Sequence, residues 1–434
     1  MKKTAVEICR KLQKNGFKAF FAGGAVRDQF LGKNPSDIDI ATDARPEIIE
    51  NLFKKSFAIG KKFGVILVSE NGHHFEIATF RSDSGNSDGR RPDAVFFTDE
   101  RADARRRDFT VNAIFFDPIA EKYFDFVGGI SDLKNKILRF VGDPTTRIRE
   151  DFLRILRAIR FKNRLEFSFD QKTAAAIFSE HQKVAKIAPE RVRDEFSKML
   201  LDKNRAKSFR DCFDFGVLKI LLPELSRLAK TPDAFGKKTV FEHTMRAISF
   251  LKNPNLETAW ATLFHDLGKF ETATKKADRW HFPDHENLSE MLARKICRRL
   301  RFSRFSTTKI AWLVKNHIKF YAVPKMSRAH KMHFFDHLFF EDLIALARAD
   351  SLGSDGSATL VSRIEKDFHD AHEQKLLPKF HAEFLTGDEI QNLLNIPPGK
   401  KIGEIKKKLR FLQFSGEIVD KKSAKKWLFR HFKN

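Results

Sequence analysis

Residues 32–46 read GKNPSDIDIATDARP, and two carboxylates in that run, Asp37 and Asp39, stand one residue apart among apolar neighbours. In a strand, residues i and i+2 point to the same face, so this spacing predicts a strand that carries both carboxylates side by side. The flanking sequence shows what they could hold. FKAFFAGG (17–24) predicts a strand running into a turn, and AVRDQFLG (25–32) predicts a helix. Gly23 and Gly24 fall where strand passes into helix. There the backbone can approach an anion closely, and the first helical N–H groups can point at phosphate. Arg27, one turn in, could reach the same phosphates, while Asp37 and Asp39 suit Mg²⁺, which takes carboxylate and phosphate oxygens together. Glu76, mid-strand in FEIATF (75–80), is a candidate third ligand. Together these residues predict metal-assisted attack of a hydroxyl on a nucleoside triphosphate.

At 434 residues the chain is too long for one ordinary domain, and its 42% apolar content suffices for three or four cores. Lys and Arg number 81 against 57 Asp and Glu, a formal charge of +24, which points to a polyanionic partner, nucleic acid first. Basic clusters recur along the chain, in RRRDF (105–109), KICRRLRFSRF (295–305) and KKIGEIKKKLRF (400–411). Cys9, Cys212 and Cys297 are scattered and in no C-x-x-C arrangement, against both a disulfide framework and a thiolate zinc site. They are expected to be buried apolar residues or inert surface thiols. No apolar run is long enough to span a bilayer, and residues 1–24 read as an amphipathic helix entering a strand, so a soluble cytoplasmic protein is expected.

To about residue 145 the chain alternates strand and helix patterns, with GVILVSENGHHFEIATFR (64–81) forming two strands about a turn at Asn71-Gly72. This predicts an α/β unit with a mixed sheet. From DPTTRIREDFLRILRAIRFKNRL (143–165) onward helical periodicity dominates: Leu153, Leu156, Ile159 and Phe161 form an apolar stripe, while Arg154, Arg157 and Arg160 project elsewhere. Boundaries are expected at the DPTT turn, in LAKTPDAFGKKT (228–239) and around EQKLLPKF (373–380). The division is then a head (1–145), a helical neck (146–230), a third part (231–370) and a helical tail (371–434).

The stretch FAGGAVRDQFLGKNPSDIDIATDARP (21–46) resembles the signature of bacterial class II tRNA nucleotidyltransferases and poly(A) polymerases, G-G-x-V-R-D-x-L-L-G followed by D-x-D. The likeness continues in order through RRPDAVFF, RRRDFTVNAIFFDP, DFVGGISDL, EDFLRILRAIRF and PERVRDEFSKML, over roughly the first half of the chain. It implies a polymerase-β-like head in which Asp37 and Asp39 are catalytic and bind Mg²⁺, and Gly23, Gly24 and Arg27 meet the triphosphate. Arg107, Asp108 and Asn112 would surround the ribose and phosphates. The family uses no nucleic-acid template, and the motif that reads the incoming base matches Glu150, Asp151 and Arg154. Arg157 and Arg160, farther along the same helix, are counted with the nucleotide-binding residues.

Asp151 and Arg154 lie three apart on the predicted helix, hence on one face. A carboxylate accepts from an exocyclic amine, and a guanidinium donates to the neighbouring ring nitrogen or carbonyl. Cytosine and adenine offer that donor-then-acceptor edge; guanine and uracil offer the reverse. Glu190 and Arg191 match a motif that orients the base-reading helix, and a helix-start salt bridge is an equal reading. In place of a flexible segment D-G-x-Y-x-D-x-R-R-P that helps the family switch from C to A, this chain has DSGNSDGRRP, with Ser84 for the glycine and Asn86 for the aromatic.

Farther on, His243, His265-Asp266, His285, His317 and Asp350 recur in helical surroundings, where imidazoles and carboxylates from several helices can hold one or two divalent ions. HDLGK (265–269) resembles the HD superfamily of metal-dependent phosphohydrolases. This implies hydrolysis of a phosphoester, such as a 2′,3′-cyclic or terminal phosphate on RNA, with a divalent transition metal; the alternative is an HD scaffold whose metal is structural or absent. LTGDEI, PPGKKIGEI and LQFSGEI resemble the C-terminal segment of the longer HD-containing members, which would support tRNA along its acceptor and T arms. The expected function is template-independent CCA addition to tRNA from CTP and ATP. The alternatives are a CC-adding or A-adding enzyme, a poly(A) polymerase, or an HD phosphohydrolase acting on RNA ends with a non-catalytic head. Oligomeric state is left open.

Overall fold

A computed structural model describes residues 1–35, 37–84, 94–354, 356–374 and 383–432. Most of DSGNSDGRRP, with Asn86, and most of EQKLLPKF lie outside the described residues. The chain forms two compact units, Met1–Leu221 and Leu222–Asn434.

In the first unit the helix Lys2–Lys14 buries Ala5, Ile8, Cys9 and Leu12, the i, i+3/i+4, i+7 stripe of an amphipathic helix. The unit's strands include β1 (Ala19–Ala22), β2 (Asp39–Thr42), β3 (Ser56–Gly60), β4 (Val65–Glu70), β5 (His73–Thr79), β6 (Arg81–Ser84), β7 (Ala94–Phe97), β8 (Ile114–Asp117) and β9 (Lys122–Asp125). Seven of them make one sheet in the order β3-β4-β5-β2-β1-β8-β9, and β6 and β7 pair separately. The sheet is mixed as expected, with β2 and β5 parallel and the other pairs antiparallel. The β4–β5 hairpin turns at Asn71-Gly72, where Glu70 faces His73. Phe20, Phe80 and Phe115 fill the core beneath the sheet.

Three local expectations need correction. β2 begins at Asp39 and pairs it with Ala22 of β1, so Asp37 precedes the strand instead of sharing it. The helix predicted through residue 151 is two helices, Pro144–Glu150 and Leu153–Leu165, because Asp151 is extended and its Oδ1 accepts the backbone N–H of Leu153 at 3.0 Å. Arg160 does not project outward: it is buried, and its Nε donates to Glu195 Oε2 at 2.6 Å across to the helix Pro189–Leu201.

In the second unit the helices Val240–Ser249, Leu256–Phe264, His285–Arg299, Arg304–Phe320 and Phe340–Gly353 pack around Trp260, Phe264, Leu313 and Phe320. Near the end of the chain, Gly387–Leu394, Lys400–Ser415 and Lys421–Phe432 enclose a core of their own that includes Ile390, Ile405, Leu412 and Leu428. Thr386 and Glu389 form a capping box at the start of the first of these. All three cysteines are buried. Among the described residues, no helix is long and apolar enough to cross a membrane.

Candidate active site and metal centre

In the first unit, the loops leaving β1 and entering β2 meet the helix break at Asp151 around a pocket of about 590 Å³. Gly23, Gly24, Arg27, Asp37, Asp39, Arg107, Asp108, Asn112, Glu150, Asp151, Arg154 and Arg157 all line it. Arg160 does not. Arg81, Arg106, Phe161 and Arg164 line it as well, and sequence reasoning did not single them out.

Asp39 is a strongly perturbed acid of this pocket. Burial, then the charges of Glu76 and Asp37, push its carboxyl up to about 6, against the nearby Arg107. The parallel register that pairs Ile40 with Ile77 sets Glu76 alongside Asp39 on the neighbouring strand. Three carboxylates crowded together ask for positive charge, and this donor set fits a divalent ion. Gly23 has a left-handed φ of 69°, and a Cβ there would stand 3.5 Å from Asp39 Oδ2, so the backbone runs directly beside that acid.

The basic residues are held by a network that radiates from Asn112. Its Oδ1 accepts from Arg27 Nη1 at 2.7 Å and its Nδ2 donates to Asp108 Oδ1 at 3.3 Å. Asp108 Oδ2 in turn accepts from Arg157 Nε at 3.0 Å. Arg107 is fixed by a residue the sequence reading overlooked, the buried Asp103, whose Oδ2 accepts its Nε and Nη2 at 3.0 and 2.9 Å. The acid–base spacing in RADARRRD, i to i+3 and i+4, is a signal that could have found it.

At the other end of the pocket Asp151 is gripped by Arg191, and Arg154 bonds to Glu150 and donates to the Arg147 carbonyl at 2.7 Å. Asp151 and Arg154 thus have separate supports, leaving each to present its own hydrogen-bonding character. Glu190 stands in the first turn of the helix that supplies Arg191.

The second unit carries the other constellation. The Nε2 atoms of His243 and His265 are 3.1 Å apart, and those of His285 and His317 are 3.3 Å apart. Asp266 sits between the pairs: its Oδ2 is 3.4 and 3.2 Å from the first two, its Oδ1 3.4 and 3.6 Å from the second two. Asp350 Oδ1 approaches His243 at 3.0 Å. His265, His285 and His317 each have Nδ1 2.6–2.8 Å from a backbone carbonyl, of Thr262, Phe282 and Val314. A carbonyl only accepts, so Nδ1 carries the proton and the Nε2 lone pairs face inward. Converging lone pairs, with a buried Asp266 Oδ1 that accepts no hydrogen bond, fit divalent cations shared through Asp266. Burial alone would lower the His265 imidazole, yet Asp266 and Asp350 push it up to about 10, another sign of a site that demands positive charge. Gly268 lets the HDLGK turn pack tightly, since a Cβ there would come within 2.4 Å of the His285 carbonyl.

Residues 19–139 match the model of the poly(A) polymerase head domain, residues 166–228 that of the "probable RNA and SrmB- binding site of polymerase A", and residues 240–352 that of the HD domain. The chain thus carries a poly(A) polymerase head domain, the RNA-binding segment of such polymerases and an HD domain. Such a head implies a divalent metal ion.

Among similar proteins, the CCA-adding enzyme of Lactobacillus helveticus is 38% identical over 275 residues, 61% of this chain and 65% of the relative. That of Enterococcus faecalis is 44% identical over 204 residues, 47% of this chain and 50% of the relative. The matched segments therefore span between half and about two thirds of these relatives' own length. In fold the chain is similar to the Bacillus stearothermophilus CCA-adding enzyme solved in complex with CTP, with a TM-score of 0.74 at 24% identity over 98% of this chain and 96% of that one. It is also similar to the Thermotoga maritima CCA-adding enzyme complexed with tRNA, with a TM-score of 0.58 at 19% identity over 99% and 94%.

Proposed function

We propose that this chain adds C, C and A in turn to the 3′ end of tRNA, without a nucleic-acid template, from CTP and ATP. One observation carries the reading: the acids Asp37 and Asp39 and the pair Asp151 and Arg154 line a single pocket. Phosphates would meet Gly23, Gly24, Arg27 and Arg107, and the base would meet Asp151 and Arg154. The RNA 3′-hydroxyl oxygen bonds to the α-phosphorus, the bond to the β-phosphate oxygen breaks, and pyrophosphate leaves. Asp37, Asp39 and Glu76 would hold Mg²⁺, which supplies Lewis-acid neutralisation of the phosphate charge. A carboxylate accepting from N4 of cytosine or N6 of adenine, beside a guanidinium donating to the adjacent ring nitrogen, rejects guanine and uracil.

In this reading the head (1–145) performs the chemistry, the neck (146–230) reads the base, and the basic tail (371–434) supports the RNA, in the cytoplasm where tRNA is matured. CC-only, A-only and poly(A) products would use the same pocket, and the product is decided by how the growing 3′ end is held.

A second reading concerns residues 231–370. The convergence of His243, His265, Asp266, His285, His317 and Asp350 supports metal-dependent hydrolysis of a phosphoester. Paired variants separate the two activities. Asp39→Ala abolishes nucleotide transfer and spares phosphate release, whereas His265→Ala with Asp266→Ala does the opposite. Transfer surviving in Asp39→Ala would contradict the first reading, and phosphate release surviving in the double variant would contradict the second.

A further inference from the structure

An exposed aromatic ring stands at the edge of the HD centre without a role in the chemistry described. Beside His243 opens a cleft of about 170 Å³, lined by Lys238, Arg246 and Lys269 together with Phe235 and Phe282. Phe235 is 61% exposed, yet it does not ride on a slack loop. Asp233 Oδ1 accepts the backbone N–H groups of Phe235 and Lys237, both at 3.0 Å, and Asp233 N donates to the Lys238 carbonyl at 2.8 Å. The hairpin Thr274–Lys276 and Arg279–His281 is tied to the same loop, with Trp280 N donating to the Ala234 carbonyl at 3.0 Å. Its Arg279 guanidinium lies 5.1 Å from the centroid of the Phe235 ring.

What sets this ring apart from other exposed ones is that a hydrogen-bonded turn fixes it beside three cations of a cleft. An aromatic face next to a basic cleft is the arrangement that holds a nucleotide, with the base stacked and the phosphate among the cations. We propose that Phe235, oriented by Arg279, is a base subsite of the HD cleft, and that the cleft takes a nucleoside phosphate at a single-stranded end. The phosphate lies against Lys238 and Arg246, next to His243 and to Lys269, whose Nζ donates to Asp266 Oδ2 at 2.7 Å. At about 170 Å³ the cleft is small, so the base would lie outside it, on the exposed Phe235 ring. The assignment of the phosphate position rests on the phosphohydrolase reading; the stacking of the base does not.

The test uses the full chain with Mn²⁺, carrying Arg154→Ala so that base reading in the head is removed from every protein compared. Adenosine 5′-monophosphate and ribose 5-phosphate share a phosphate and differ by the base. Calorimetric affinity and phosphate release are measured for both. The subsite predicts about tenfold tighter binding of the nucleotide, a preference lost in Phe235→Ala and kept in Phe235→Trp, with ribose 5-phosphate unaffected by either change. Preference without phosphate release would support the subsite while removing the hydrolase reading. Equal binding of the two probes, or a preference that survives Phe235→Ala, would overturn the subsite whatever the hydrolysis shows.

Discussion

Arg191 holds Asp151 with both terminal nitrogens, Nη1 to Oδ1 at 3.0 Å and Nη2 to Oδ2 at 2.7 Å. The fork-to-fork geometry fixes the plane of the carboxylate at the break between two helices. If Asp151 reads the base as proposed, recognition depends on a residue outside the pocket lining.

Arg191→Ala is expected to relax nucleotide choice more than it slows transfer. Discrimination of CTP and ATP against UTP and GTP, as ratios of kcat/KM, should fall by about tenfold or more, on the order of one lost bidentate contact. Arg191→Lys should not restore it, since an ammonium is a point charge. An unchanged ratio in Arg191→Ala would leave Arg191 as a helix-start salt bridge only.

The buried pair Arg160 and Glu195 predicts a stability effect without a nucleotide effect. Glu195→Gln leaves the guanidinium uncompensated and should destabilise the chain by about 3 kcal/mol in urea melts, with KM for CTP unchanged. Burial alone would raise the Glu195 carboxyl, but Arg160 overrides it and holds the group below its ordinary value. A carboxyl depressed in the folded state adds stability that is present above its unfolded pKa and is lost as pH falls through the folded one. The difference between parent and variant should therefore shrink below about pH 4.5.

The chain has 46 Phe and only 2 Tyr, so the hydroxyl of the half-buried Tyr321 calls for a use. Tyr321 Oη donates to Asp350 Oδ2 at 2.9 Å, with the Ala347 carbonyl at 3.1 Å. Tyr321→Phe removes one oxygen and should weaken Mn²⁺ binding at the HD centre by roughly tenfold, measured by calorimetry, because partners that orient a ligand tune the metal. Melting of the metal-free chain should shift little. Unchanged Mn²⁺ affinity would mean that the hydroxyl only ties the helix Arg304–Phe320 to Phe340–Gly353.

What the sequence revealed, and what it hid, follows from the range of each interaction. The strand-turn-helix at Gly23-Gly24 and the hairpin at Asn71-Gly72 are local, and both formed where the pattern placed them. The helix break at Asp151 was hidden because periodicity runs through it, and only the competition of its carboxylate for the Leu153 N–H ends the helix. Arg160 was misread because its partner Glu195 lies 35 residues away, and no spacing rule announces a buried ion pair between two helices. The histidines and aspartates of the HD centre were legible one by one. That Asp266 lies between two imidazole pairs required the packing of four helices.

The most direct test of the nucleotidyltransferase reading is primer extension on tRNA transcripts ending before CCA, after C and after CC, with CTP and ATP singly and together and Mg²⁺ present. Stepwise completion to CCA on all three, with UTP and GTP refused, is the predicted result. Failure to extend any transcript, with intact folding and metal present, would contradict the account.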